Sequence, residues 1–391
     1  MSDSRTASLN SLKSYLHQNC EEIANSKALR FYGAALAFTH MVTIYFWWNV
    51  GFETPLCWSY FPQCAIYTET IFLFFRQILS GYFLISLAAV VFFLANKVRW
   101  AIGLFAIATV IKLMIHASDY RFMGNYHYMS HLVNFVFLLM LGKRGLLKVL
   151  LVAFYVGAGI LKFNPDWMTG FAMIRPPIIS GKLLELACAY VIFLEMVLAP
   201  LLLWGSQKLK YAILFQLIAF HLFSWHIVGY FYPVIMLCLI SLFVLDNSRS
   251  PIKLGRGCYA FMIVFILAQL LPFMMEPKSS LNGRMRVLSL NMLDAKAVCE
   301  SRMYIRFESS TVEYLPEFSH LGLRIQCDPQ VYVDRLQRVC TEQSKIAGFV
   351  DIDFDHQVRR ISDSTDFDQI TFKKVCSKPL TMSALGYVEQ R

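Results

Sequence analysis

The stretch Y-V-G-A-G-I-L-K-F-N-P-D-W-M-T-G, Tyr155–Gly170, joins the end of an apolar run to a lysine and then to a helix-stopping turn. Its first half reads as helix that can lie in hydrocarbon, with Gly157, Ala158 and Gly159 small enough to let neighbouring helices come close. Pro165 then ends the helix, because proline lacks the N–H that a continuing helix needs. Lys162 stands between the two halves. A lysine at a span end ordinarily snorkels to water; one enclosed by close-packed helices loses hydration, releases its proton more readily, and can serve as a general base.

Around this stretch the chain reads as a polytopic membrane protein. Of 391 residues, 57% are hydrophobic, 16% are charged and 33 are Phe, far from the make-up of a soluble domain. Apolar runs close to the ~20 residues that cross ~30 Å of hydrocarbon recur over Phe31–Trp48, Ile78–Ala95, Trp100–Ala117, His127–Leu141, Leu147–Lys162, Leu184–Trp204, Ala212–Val228, Tyr230–Leu245 and Tyr259–Met274. Several are short, so the reading is eight or nine transmembrane helices. Residues 1–30 precede them as a polar cytoplasmic segment without a secretory signal. The spacing of Leu9, Leu12, Leu16 and Ile23 suits either an interfacial helix or a solvated cap.

Charge sets the orientation. With the N-terminus in the cytoplasm, Lys97 and Arg99, Lys143 and Arg144, Lys208 and Lys210, and Arg249, Lys253 and Arg256 all fall in inside joints, whereas the outer joints are poor in Lys and Arg. The segment 275–391 is then extracytoplasmic. It holds 16 basic and 16 acidic residues, so the net charge of +10 belongs to residues 1–274 and reports topology, not nucleic-acid binding. Of ten cysteines, Cys57, Cys64, Cys299, Cys327, Cys340 and Cys376 face the outer, oxidising side, an even number suited to disulfides. There is no CxxC, no metal-ligand spacing, no internal repeat and no low-complexity tract.

From 275 onward the pattern changes to that of a small α+β domain. R-V-L-S-L-N-M-L, R-M-Y-I-R-F-E-S-S-T-V-E-Y, G-F-V-D-I-D-F-D and D-Q-I-T-F-K-K-V alternate apolar and polar residues as half-buried strands do. Asp328–Ala347 reads as an amphipathic helix with Pro329 in its first turn. Asp351, Asp353 and Asp355 read as a solvated strand face, since the Gly and Glu of a calcium loop are missing.

Ionisable groups within apolar spans cost roughly 2.5–3.5 kcal/mol each at the bilayer centre, so they mark candidate sites. They are His40, Lys112, His116, His127, His131, Lys162, Glu195, His221 and His226, with the amide Gln269. His40, His131 and Gln269 read as helix-packing hydrogen bonders, and Lys112 as a snorkelling lysine. Glu195 near the midplane needs either a proton or a cationic partner. Lys162 lies at an outer end, where the chain otherwise avoids basic residues, which favours the general-base reading.

The ordered set of motifs resembles one family. Y-x-x-A-G-x-x-K-F-N-P-D-W-x-x-G resembles the catalytic-lysine segment of the vitamin K-dependent gamma-glutamyl carboxylases and their short bacterial relatives, which share a horizontally transferred transmembrane domain. S-D-Y-R-F-M-G-N-Y-H-Y-M-S-H-L-V-N-F resembles their Asn-x-His segment, and F-H-L-F-S-W-H-I-V-G-Y-F-Y-P-V-I-M-L a later membrane segment beginning Phe-His. M-Y-I-R-F-E through D-R-L-Q-R-V-C to V-D-I-D-F-D resembles the start of their lumenal domain. Leu161 stands where the family has a second lysine, and Asn164 where it has an acid.

The resemblance implies an enzyme whose neutral lysine deprotonates vitamin K hydroquinone (menaquinol or phylloquinol). O2 then drives formation of vitamin K epoxide, and CO2 carboxylates a peptide glutamate. It implies Lys162 as the base, His127 as a second catalytic residue, and His221, Asn125, Asp166, Trp167 and Glu195 as candidates for the quinol or substrate site. It also implies a Cys57–Cys340 disulfide, membrane lipid and a Glu-containing peptide as partners, and no metal. Two alternatives stay open: a quinol epoxidase of the same family that does not carboxylate or takes another peptide, and a transporter or lipid-binding membrane protein. The absence of an Asn-x-Ser/Thr acceptor and of an ER-retention signal inclines the reading to a bacterial inner membrane over the ER.

Overall fold

A computed structural model describes residues 2–50, 73–119, 124–173, 175–246, 252–275, 283–291, 297–316, 326–362, 365, 367–383 and 387–390. Cys57 and Cys64 lie outside the described residues. The helices are α1 Ser2–Ala24, α2 Lys27–Val50, α3 Phe75–Leu94, α4 Val98–Ser118, α5 Asn125–Leu139, α6 Lys143–Leu161, the single turn α7 Pro165–Met168, α8 Gly181–Phe193, α9 Gln207–Val228, α10 Phe231–Leu245 and α11 Arg256–Met275. Each apolar run of the sequence coincides with one of them. Among the described residues, six are long and apolar enough to cross a membrane: α3, α4, α6, the continuous Gly181–Leu202 segment, α9 and α11. The chain is therefore helical and of membrane-protein type.

The helices share a main core, in which Phe93, Phe105 and Phe137 meet edge to face at centroid separations of 5.8–6.1 Å, with smaller clusters around Trp47 and around Cys188. Basic residues collect at one end. Arg144 donates to the Asp246 carboxylate after α10, and Lys148 Nζ lies 2.7 Å from its Oδ2. Here α1 docks as well: Asn19 Nδ2 donates to Leu138 O at 2.6 Å, Lys143 donates to Asn19 Oδ1, and Gly142 N donates to Glu22 Oε2 at 2.9 Å. Lys143 opens α6 and Lys162 closes it, so 19 residues, ~28 Å of helix at 1.5 Å each, separate the basic end from Lys162.

The C-terminal part forms β1 Ala297–Phe307, β2 Thr311–Tyr314, helix α12 Pro329–Gln343, β3 Phe349–Arg360, β4 Phe367–Phe372, and a separate antiparallel pair, β5 Leu380–Met382 with β6 Val388–Gln390. The main sheet is antiparallel in the order β2-β1-β3-β4, with Ile305 opposite Ile352, and Met303 and Phe372 both opposite Phe354. Met303, Ile305, Leu336, Val339, Ile352 and Phe354 make its core against α12. Asp328 caps α12 by accepting from Gln330 N at 3.0 Å, and Pro329 occupies the first turn.

Three expectations are corrected. Residues 286–291 are not a strand: this stretch turns, and its backbone is held by side chains from the helices described below. Asp351 is buried, not solvated. It accepts from the Ser377 hydroxyl and from the backbone N–H of Ile352, Cys376 and Ser377; burial would raise its carboxyl, but these bonds hold it below the usual carboxylate range. Cys340 bonds to Cys376, and Cys299 to Cys327, so Cys340 is not linked to Cys57. The cause lies in the same clamp: Asp351 draws Cys376 N to 2.9 Å and Val375 N donates to Ile352 O at 2.8 Å, laying this segment beside α12.

Candidate functional site

The K-F-N-P-D-W turn builds itself from local rules. Lys162 caps the end of α6: its N–H donates to Gly159 O at 3.1 Å, and Phe163 N–H donates to Ile160 O at 3.2 Å. Asn164 then caps α7, its Oδ1 accepting from Trp167 N at 2.8 Å, with Pro165 at the first helical position. This turn swings Trp167 inward. It donates from Nε1 to Cys188 O at 3.3 Å and sets its ring 5.1 Å from Lys162 Nζ, so it is a wall of the lysine's enclosure. Phe220 lies on the other side, 6.0 Å from the same nitrogen.

The partner that encloses Lys162 is Glu195. Lys162 Nζ donates to Glu195 Oε2 at 2.5 Å, and the two side chains are 3% and 1% exposed. Glu195 sits in a π-helical turn, Leu194–Leu198, between α8 and a 3-10 turn over Ala199–Leu202. Pro200 explains the irregularity, since without an N–H it cannot continue the α ladder, and the helix loosens before it and tightens after it. Gly159 lets this turn approach: a Cβ there would lie 2.5 Å from Met196 Cγ and 3.3 Å from Glu195 Cβ.

Lys162, with Glu195 behind it, borders a cavity of about 800 Å³ at the end of the bundle opposite the basic joints. Apolar and aromatic side chains of α5, α6, α8, α9 and α10 form most of its wall. Asn125, Asn164, Asn291 and Arg286 add polar groups. Between α8 and α9 the wall includes Tyr190 and Phe223, both exposed on the outer surface of the bundle, and the Tyr190 hydroxyl donates to Gln216 Oε1 across that gap. At the other side the turn 285–291 folds back into the helix ends. Tyr128 OH donates to Leu288 O at 2.7 Å, Leu290 N to Gln269 Oε1 at 2.8 Å, and Asn291 N to Asn125 Oδ1 at 3.0 Å. Gln269 is thus a packing hydrogen bonder, as its sequence context suggested.

The remaining candidates divide. His221 is buried, with Nε2 2.8 Å from the Tyr155 hydroxyl and its ring 5.0 Å from Phe220 and 5.7 Å from Tyr232, so it backs the lysine enclosure without lining the cavity. Asp166 is 1% exposed; Oδ1 accepts from Ser362 N at 3.3 Å, and among the described residues Oδ2 has no hydrogen-bond partner. His127 does not join Lys162. It lies one aromatic layer behind the cavity wall, 4.7 Å from the Tyr126 ring and 5.4 Å from Phe231. Its other neighbours are Trp47 and His116, and His116 in turn meets His131 at 5.1 Å. Lys112 belongs to this second polar cluster: it is fully buried and donates to Ser130 Oγ at 2.8 Å, which replaces the snorkelling expectation. His40 bridges Tyr82 and Asn134, as a packing residue does.

Tyr155, Phe220 and Arg286 were not singled out from the sequence. Tyr155 had a signal, being seven residues before Lys162 and so on the same helix face. No protein-family model matches the chain, and no curated protein or solved structure matches it.

Proposed function

We propose that this chain is an integral membrane enzyme that uses vitamin K hydroquinone, O2 and CO2 to carboxylate glutamate in a peptide, with Lys162 as the base that takes the quinol proton. The observation that carries the reading is Lys162 on the wall of a largely apolar cavity of about 800 Å³, held from behind by Glu195 at 2.5 Å. That volume lies within the range of small-molecule sites, roughly 300–1,000 Å³, and an apolar wall suits a bicyclic quinol. Exposure of Tyr190 and Phe223 beside the cavity supports access from the bilayer, where a lipid quinol resides.

The residues divide the work. Glu195, hydrogen-bonded to Lys162 Nζ, fixes the position of that nitrogen, and Lys162 takes the quinol proton. Trp167 and Phe220 exclude water and face the resulting ammonium with their rings. Tyr155 and His221 hold the Phe220 side of the enclosure. Asn125 and Asn164 offer hydrogen bonds at the rim. The quinol supplies, on oxidation to its epoxide, the strong base that removes a glutamyl γ-proton, and CO2 adds to the carbon so exposed. His127, behind Tyr126 and Phe231, is assigned a supporting role in this scheme.

The topology we propose has eight or nine spans, with the basic end and α1 in the cytoplasm and the cavity, turn 285–291 and sheet outside, in a bacterial inner membrane. The test is incubation of purified protein with vitamin K hydroquinone and labelled bicarbonate, with and without a glutamate peptide. Wild type is expected to yield epoxide and labelled peptide, and Lys162→Ala neither. Epoxide without label selects a quinol epoxidase; absence of both products from wild type removes the reading.

A further inference from the structure

Among the described residues, the cavity wall carries two charged side chains, Lys162 and Arg286, and no carboxylate. Lys162 is matched from behind by Glu195. Arg286 is 5% exposed and is matched by Asp328, whose Oδ2 lies 3.1 Å from Nη1. Asp328 divides its oxygens between this contact and the N-cap of α12. It is also hemmed in by Gly283, at φ +68°, where a Cβ would lie 2.6 Å from Oδ2. The guanidinium is therefore held in place from the sheet side while bordering the cavity, and the turn that carries it is pinned to α5 and α11 through Tyr128, Gln269 and Asn125.

We infer that Arg286 is the carboxylate-binding residue of this cavity, the group that recognises the side chain of an acidic peptide residue. Placing a guanidinium on an apolar wall costs desolvation, and its flat fork of donors matches a carboxylate in a way that a lysine ammonium does not. Asp328 both orients Arg286 and competes with the incoming carboxylate for it. The inference rests on the proposed carboxylase reading for the identity of the acid, a glutamyl side chain, but its test does not depend on turnover.

The experiment measures binding of a fluorescent glutamate-containing peptide, and of the same peptide with glutamine, to the full-length protein in nanodiscs. The ratio of the two affinities is internal to each variant, so a partly unfolded sample lowers both and leaves the ratio. Wild type is expected to prefer the glutamate peptide at least tenfold, Arg286→Gln to abolish the preference, and Arg286→Lys to keep part of it. Asp328→Asn, which retains a capping oxygen but removes the competing charge, is expected to increase the preference. A wild-type ratio near one, a ratio unchanged in Arg286→Gln, or a fall in Asp328→Asn overturns the inference. If the ratios behave as expected while wild type forms neither epoxide nor labelled peptide, the carboxylase reading fails and the acidic subsite stands.

Discussion

Lys162 Nζ and Glu195 Oε2 meet at 2.5 Å across the seam between α6 and the π turn after α8, with both side chains buried. Removing one partner leaves the other uncompensated, at a cost of roughly 3–5 kcal/mol. Glu195→Ala is therefore expected to lower the thermal midpoint in detergent sharply. The double variant Lys162→Met, Glu195→Gln is expected to recover most of that loss while remaining without quinol turnover. Equal destabilisation by the double variant, read by thermal unfolding, counts against the pair being one unit.

Gly159 sets the depth of that seam. A methyl group there enters Met196 Cγ at 2.5 Å, and Met196 is flexible enough to yield, whereas Glu195 Cβ at 3.3 Å has less freedom. Gly159→Ala is expected to cost about 1–3 kcal/mol, the usual range for overpacking, and Met196→Ala in the same chain to restore part of it. No rescue in the double variant would place the strain elsewhere.

The two disulfides of the sheet region close loops of 28 and 36 residues. Loop-closure entropy gives each about 3–4 kcal/mol. Non-reducing peptide maps are expected to recover Cys299 with Cys327 and Cys340 with Cys376, and a peptide joining Cys340 to Cys57 would refute the latter pairing. Cys376→Ser is expected to destabilise the sheet region by an amount of this order, read by urea unfolding.

His356 lies buried in β3, with Nδ1 2.8 Å from Ser301 Oγ. Burial lowers its pKa to about 4, against the pull of Cys327, Asp328 and Asp368 towards the charged form. Because the folded pKa is below the unfolded value of about 6.5, its contribution is complete above pH 6.5 and is lost as pH falls towards 4. The linkage amounts to about 3 kcal/mol. The thermal midpoint should therefore drop more steeply between pH 7 and 4 in wild type than in His356→Gln, and parallel profiles would exclude the effect.

Where local chemistry decided the structure, the sequence was a sufficient guide. The nine apolar runs lie on helices, and the alternation in G-F-V-D-I-D-F-D marks β3. Pro165 and Asn164 define a stop and a cap. Where long-range partners decided, it was not. R-V-L-S-L-N-M-L alternates like a strand, but Tyr128, Gln269 and Asn125, distant in sequence, claim its backbone groups. Lys112 has the spacing of a snorkelling residue until Ser130 and a ring of histidines fold around it. Glu195 carried a clear demand for a counter-charge; that Lys162 meets it depends on a π turn that no periodicity announces.

The hydrogen bond from Tyr190 to Gln216 crosses the gap between α8 and α9 beside the cavity. For a ligand entering by that gap, water is not the solvent from which it binds. Occupancy then follows the ligand's mole fraction in the bilayer, so diluting the protein at a fixed lipid-to-quinol ratio leaves saturation unchanged, whereas diluting the quinol with inert lipid lowers it.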